Sequence, residues 1–226
     1  QDGYHQIISL AQSMKAQPKE YRRLLDGMSA ALMFEKPSLR TRTTFELAMF
    51  NLGGHGFYLD LGKGDLGVRE SVADYARNLS RWVDCLVGRV FKQTTLEELA
   101  ATGSVPVINA LSDIYHPAQA MADYMTVKEH LGKVEGVKLA YLGDGNNVAN
   151  SLLVAGAFLG AHVTCFCPLN CGPDVQVFNK AKEQAAKYGA KLDVTDDLSL
   201  LKDYDVLYTD TWVSMGDDTP LEAVKK

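Results

Sequence analysis

Ser38, Arg40, Thr41, Arg42 and Thr43 fall within one stretch, Glu35-Lys36-Pro37-Ser38-Leu39-Arg40-Thr41-Arg42-Thr43-Thr44, that follows an apolar run and opens a helical pattern. The start of a helix presents unpaired N–H groups and the positive end of its dipole, which makes it a ready anion site. Capping alone accounts for Ser38. It does not account for two arginines in a first turn, where the dipole disfavours positive charge. A bound anion resolves the conflict, because guanidinium forks and hydroxyls suit phosphate oxygens. Further along, Arg89 closes another apolar run, Gly88-Arg89-Val90-Phe91. His116 and Gln119 lie three apart across a helix start, so both side chains can reach one point. By themselves Arg89 reads equally as a surface arginine and His116 as a helix cap.

Two later stretches are also loaded. Gly143-Asp144-Gly145-Asn146-Asn147 stands between a strand pattern and a helix pattern, the shape of a dinucleotide fingerprint. A nicotinamide enzyme would need an acidic residue about twenty positions on to hold the ribose. The next strand instead ends Cys165-Phe166-Cys167-Pro168, so NAD chemistry is disfavoured. Thr209-Asp210-Thr211-Trp212-Val213-Ser214-Met215-Gly216 follows the last strand pattern. Asp210 can accept from an α-ammonium group, and amides such as Asn147 suit a carboxylate.

These residues need a scaffold that gathers strand ends. Apolar runs at 29–34, 56–59, 85–91 and 106–111 read as strands, with helical patterns at 40–52, 71–82, 95–101 and 117–131. The last of these helices opens on Pro117, a favoured first-turn position. Gly132-Lys133-Val134-Glu135-Gly136 interrupts the pattern, and a second series follows. It has strands at 137–142, 162–167, 191–194 and 206–209 and helices at 148–159, 174–188 and 198–201. Strand–helix alternation predicts parallel sheets covered on both faces. The expected fold is α/β, with two tandem three-layer domains, 1–132 and 133–226, and a cleft between them. In such sheets ligands gather beyond the carboxyl ends of the strands, where all five loaded stretches fall.

Composition narrows the function further. Among 226 residues, 23 Lys and Arg stand against 28 Asp and Glu, a net charge of −5, so no basic surface for nucleic acid is expected. No apolar run reaches the ~20 residues of a membrane helix. No secretory signal is visible at the first residues, which points to a cytoplasmic protein, or one of the mitochondrial matrix if the source is eukaryotic. Four cysteines are too few for a disulfide scaffold. Cys165 and Cys167 alternate onto one strand face without further ligands at useful spacing, so no metal is expected.

Ser38-Leu39-Arg40-Thr41-Arg42, followed by Phe45-Glu46 and by Leu52-Gly53-Gly54-His55, resembles the carbamoyl-phosphate signature of the aspartate/ornithine carbamoyltransferase family. The family's common pattern is Ser-Thr-Arg-Thr-Arg; Leu39 removes one hydroxyl, while its backbone N–H can still serve. The resemblance implies that Ser38, Leu39, Arg40 and Thr41 bind the phosphate of carbamoyl phosphate. It implies that Arg89, His116 and Thr41 act on the carbonyl oxygen, and that Gln119 meets the carbamoyl NH₂. Asn147, Asp210, Ser214 and Met215 match the amino-acid-binding positions of the ornithine branch, whose Ser-Met-Gly loop the aspartate branch lacks. Some members carry Gln where Asp65 stands, but an Asp there would repel phosphate, so Asp65 is not assigned a role.

The implied reaction is carbamoyl transfer to the side-chain amine of L-ornithine, without a cofactor, in a homotrimer or a multiple of trimers. The alternatives are transfer to an acylated ornithine or putrescine, or a truncated binding module. The family's His-Cys-Leu-Pro motif is not among the 226 residues, so the second domain is expected to lack its C-terminal part. A polypeptide ending at Lys226 is then expected to bind carbamoyl phosphate weakly and turn over poorly.

Overall fold

The computed structural model of the chain describes residues 2–61, 66–168 and 170–210, with Asp60 described by its backbone alone. The elements run α1 (Asp2–Ala16), β1 (Ser29–Phe34), α2 (Leu39–Asn51), β2 (His55–Asp60), α3 (Val72–Leu79), β3 (Cys85–Arg89), α4 (Gln93–Thr102) and β4 (Val107–Leu111). They continue with α5 (Pro117–Leu131), β5 (Lys138–Leu142), α6 (Asn147–Leu159), β6 (His162–Phe166), α7 (Val175–Lys187), β7 (Leu192–Thr195) and β8 (Val206–Thr209). Short 3₁₀ turns occupy Pro18–Tyr21 and Leu198–Asp203. The sequence pattern predicts no element before residue 29, and the structure places α1 there. Its apolar residues form no clean stripe: Ile8 is buried, whereas Ile7 and Leu10 are 56% and 46% exposed.

Two compact units form, Ser9–Ala118, and Gln1–Ile8 together with Gln119–Lys226. The first holds a four-stranded sheet in the order β2-β1-β3-β4, with every pair parallel. Side chains alternate across β1, and the two faces are covered by different helices. Ala31 and Met33 pack with Val72, Ala76 and Leu79 of α3 and Leu96 and Leu99 of α4. Ala30, Leu32 and Phe34 face Phe45 and Met49 of α2. A strand buried on both faces must be apolar there, which is why residues 30–34, all buried, read AALMF. Gly53 ends α2 with φ +89, and a Cβ there would lie 2.5 Å from the Arg22 carbonyl oxygen.

The second unit holds the parallel sheet β7-β6-β5-β8. Its core joins Leu139 and Tyr141 of β5 to α6, to Ala181 and Ala185 of α7, and to Tyr124 of α5. The Tyr124 hydroxyl donates to the Leu152 carbonyl at 2.7 Å. Gly156, inside α6, lets Tyr124 and β6 come close: a Cβ there would sit 2.4 Å from the Tyr124 hydroxyl and 2.6 Å from a Val163 methyl. Both neighbours are buried and have no room to move. Gly156→Val is therefore expected to cost about 2–3 kcal/mol by overpacking. The check is a urea unfolding curve with unchanged slope and a lowered midpoint.

Candidate active site

Ligands of open parallel sheets collect where neighbouring strands send their connections in opposite directions. In the order β2-β1-β3-β4 that point lies between β1 and β3; in β7-β6-β5-β8 it lies between β5 and β8. Candidate residues of both units sit there, whereas His116 and Gln119 follow the edge strand β4. Ser38–Arg40 follow β1, Arg89 ends β3, Asn147 follows β5 and Asp210 follows β8.

At the first point Ser38 is the N-cap of α2, in an extended conformation, and its Oγ accepts from Thr41 N at 3.2 Å. The Ser38 hydroxyl donates to Thr41 Oγ1 at 3.0 Å, and Arg89 Nη1 donates to the same oxygen at 3.3 Å. A hydroxyl oxygen that accepts twice has its own proton left to give. Thr41 is thus turned into a donor. Arg89 is only 6% exposed, on a strand whose pairing with β4 shifts register between Gly88 and Arg89. Such irregularities re-aim side chains beside functional sites. The Arg89 Nε is buried with no hydrogen-bond partner among the described residues. Burial lowers the pKa of Arg89, and the nearby positive charge of Arg40 lowers it further. Two guanidinium groups and a helix N-terminus therefore share one place, an arrangement that an anion stabilises. Leu39, in the first turn, is 85% exposed.

The second arginine of the signature points elsewhere. Arg42 bonds Glu46 at 3.1 Å and lies 4.0 Å from the centre of the Tyr58 ring. The sequence pattern predicts both arginines in the anion site; the i,i+4 acid and the aromatic face withdraw Arg42. Glu35 has a role that the spacing does not reveal. Its two carboxylate oxygens accept from Leu66 N at 2.8 Å and Phe91 N at 2.7 Å, while its own N–H donates to the Arg89 carbonyl at 2.9 Å. It fixes the backbone around Arg89.

His116 is half-buried and directly precedes α5. The turn before it is built on Ser112, whose Oγ accepts from Tyr115 N at 3.0 Å and donates to Gln93 Oε1 at 2.7 Å. Gln119, in the first turn of α5, is exposed and donates from Nε2 to Asp123 Oδ1 at 2.9 Å.

In the second unit, Asn146 rather than Asn147 caps α6, accepting from Val148 N at 2.9 Å and Ala149 N at 3.2 Å. Its Nδ2 donates to Asp210 Oδ2 at 3.1 Å. Asn147, half-buried, is the first helical residue. Tyr141 and Tyr208 stack beside this acid with ring centres 5.8 Å apart. Burial, then neighbouring negative charge, raises both phenols well above their usual range. Ser214 and Met215 lie outside the described residues, as does Asp65. Burial pushes the Cys165 thiol up to about 12 and also raises Cys167, so neither is a thiolate near neutrality. Among the described residues no group of three His, Cys, Asp or Glu is placed to hold a metal ion.

Comparisons with known proteins converge. Residues 1–129 match the family model "Aspartate/ornithine carbamoyltransferase, carbamoyl-P binding domain", and residues 135–226 match "Aspartate/ornithine carbamoyltransferase, Asp/Orn binding domain". The chain is 53% identical to the ornithine carbamoyltransferase of Shewanella oneidensis over 219 residues, 97% of this chain and 73% of that protein. It is equally 53% identical to the ornithine carbamoyltransferase of a Vibrio species over 220 residues, with the same coverage. The solved structure of ornithine carbamoyltransferase from Pyrococcus furiosus superposes with a TM-score of 0.93 at 45% identity, covering 99% of this chain and 72% of that one. With the signature at the start of α2, two parallel sheets and two matching family models, this chain belongs to the aspartate/ornithine carbamoyltransferase family.

Proposed function

We propose that this chain transfers the carbamoyl group of carbamoyl phosphate to the side-chain amine of L-ornithine, giving L-citrulline and phosphate. The observation that carries the reading is the buried Arg89 guanidinium near Arg40 at the capped start of α2, with the Thr41 hydroxyl held by Arg89 and Ser38 so that its proton is free to be donated. Residues 1–132 are read as the carbamoyl-phosphate domain and residues 133–226 as the ornithine domain; the two family models support this division, while most of α5, at the boundary, packs with the second compact unit.

The roles follow the family resemblance and fit the charge that the reaction develops. A neutral amine attacks the carbonyl carbon, the new C–N bond forms, the C–O bond to phosphate breaks, and one proton of the attacking nitrogen leaves with the phosphate. Negative charge develops first on the carbonyl oxygen and then on the leaving phosphate, so preorganised donors belong at both places. Ser38, the Leu39 N–H, Arg40 and Thr41 hold the phosphate. Arg89, His116 and Thr41 serve the carbonyl oxygen, and Gln119 takes the carbamoyl NH₂. Asp210, Asn147, Ser214 and Met215 hold the α-amino acid end of ornithine. The ornithine amine is protonated near neutral pH and must first lose that proton. Phosphate is already a good leaving group, so the step calls for no cofactor. Assembly as a homotrimer or a multiple of trimers, and a cytoplasmic place in arginine metabolism, belong to the same reading and rest on the family resemblance.

The test is a substrate panel on the full-length protein with carbamoyl phosphate as donor. Citrulline should form from ornithine at a kcat/KM at least about 10²-fold above that for putrescine, which lacks the groups Asp210 and Asn147 would bind. Equal or faster transfer to putrescine or N-acetylornithine would move the substrate assignment to a sibling.

A further inference from the structure

An amide side chain can be used either way round, and which way Gln119 is used decides what it can recognise. To hold a carbamoyl NH₂ it must present its carbonyl oxygen and keep its own NH₂ occupied elsewhere. One turn along α5, Asp123 meets that requirement. Gln119 Nε2 donates to Asp123 Oδ1 at 2.9 Å, and an ionised carboxylate only accepts, so Oε1 cannot take that place. The orientation of the amide follows from the chemistry of its partner.

We propose that Asp123 is a positioning residue that locks the Gln119 amide with its oxygen outward, and so makes the site selective for a carbamoyl group over an acyl group that lacks NH₂. This rests on the reading of Gln119 given above.

The setting of Asp123 supports it. The residue is half-buried and its Oδ2 is shut off from solvent. Burial above all, and then the charge of Asp210, raises its pKa, and the bond from Gln119 offsets part of that shift. A carboxylate is an unfavourable choice at this position. Asparagine would fit the same space without a charge facing Asp210, but its amide could donate as well as accept and would tolerate a flipped Gln119. The property that only the ionised carboxylate supplies is that it cannot donate. Gln119, Asp123, Tyr208 and Asp210 all belong to the same compact unit, so the lock is internal to it.

Acetyl phosphate is the probe, since it places a methyl group where carbamoyl phosphate has NH₂. Dissociation constants for both are measured on the full-length protein by titration calorimetry, with no ornithine present. The parent protein should bind carbamoyl phosphate about tenfold more tightly than acetyl phosphate, one hydrogen bond's difference. Asp123→Asn should reduce that preference about fivefold, with the affinity for acetyl phosphate unchanged. Asp123→Glu, which restores an acceptor-only group, should recover part of the preference. In a Gln119→Leu background, Asp123→Asn should change nothing further. An unchanged preference in Asp123→Asn, or an equal weakening of both ligands, would overturn the proposal. A parent protein with no preference would overturn the role of Gln119 first and the lock with it. Failure of the ornithine assignment would leave these titrations untouched.

Discussion

Arg89→Met is expected to lower kcat by about 10³-fold, the upper end of the loss seen when one preorganised donor is removed from a developing oxyanion. The same substitution should leave the protein as stable as before or more stable, by about 1 kcal/mol. The two halves follow from one geometry. Arg89 is 6% exposed, its Nε has no partner among the described residues, and its charge faces that of Arg40. In the absence of ligand the protein holds a desolvated cation next to another cation. Methionine has a similar length, keeps the packing and removes the charge. Its loss should therefore hurt only where a negative charge is being formed. The measurements are steady-state kinetics with saturating ornithine and urea unfolding in phosphate-free buffer. A variant that lost activity and stability together would mean that Arg89 is a structural residue. Arg89→Lys separates charge from shape: an ammonium cannot reproduce the guanidinium fork, so kcat should stay at least about 10²-fold down.

The strand ends were legible because the strands were. Ser29–Phe34 is apolar on both faces, and a run of that kind followed by a cap and two arginines leaves few readings. The same holds for Pro117 at the start of α5 and for the Gly-rich turn before α6. What escaped depends on partners far away in the chain. Glu35 is recognised only by its bonds to Leu66 N and Phe91 N, 31 and 56 positions on, and backbone amides leave no mark in a sequence. Asn146 and Asn147 are the same residue type at adjacent positions, so spacing could not say which would cap α6. Arg42 and Glu46 stand at an i,i+4 spacing, but an anion site at the helix start competes for the same arginine, and the aromatic contact with Tyr58 that favours the pair is what the sequence could not add. Helix α1 escaped because only Ile8 of its residues is buried.

Arg40→Ala is expected to weaken carbamoyl phosphate binding about 10²-fold, with kcat at saturation reduced far less. Charge-assisted hydrogen bonds to a phosphate contribute about 1.5–3 kcal/mol, and the upper part of that range corresponds to this factor. The split from Arg89 is the informative feature. Arg40 is exposed in the first turn of α2, where the dipole opposes its charge. In the proposed reaction it would hold a dianion in the ground state and the transition state alike, so the loss should fall mainly on KM. Inorganic phosphate should show the same loss as an inhibitor, because it shares the contact. Acetyl phosphate should also weaken by the same factor, whereas changes at Asp123 should separate it from carbamoyl phosphate. A drop in kcat as large as that of Arg89→Met, with KM unchanged, would place Arg40 on the carbonyl oxygen instead. The phosphate would then be left to Ser38, Thr41 and the N–H groups of α2 alone.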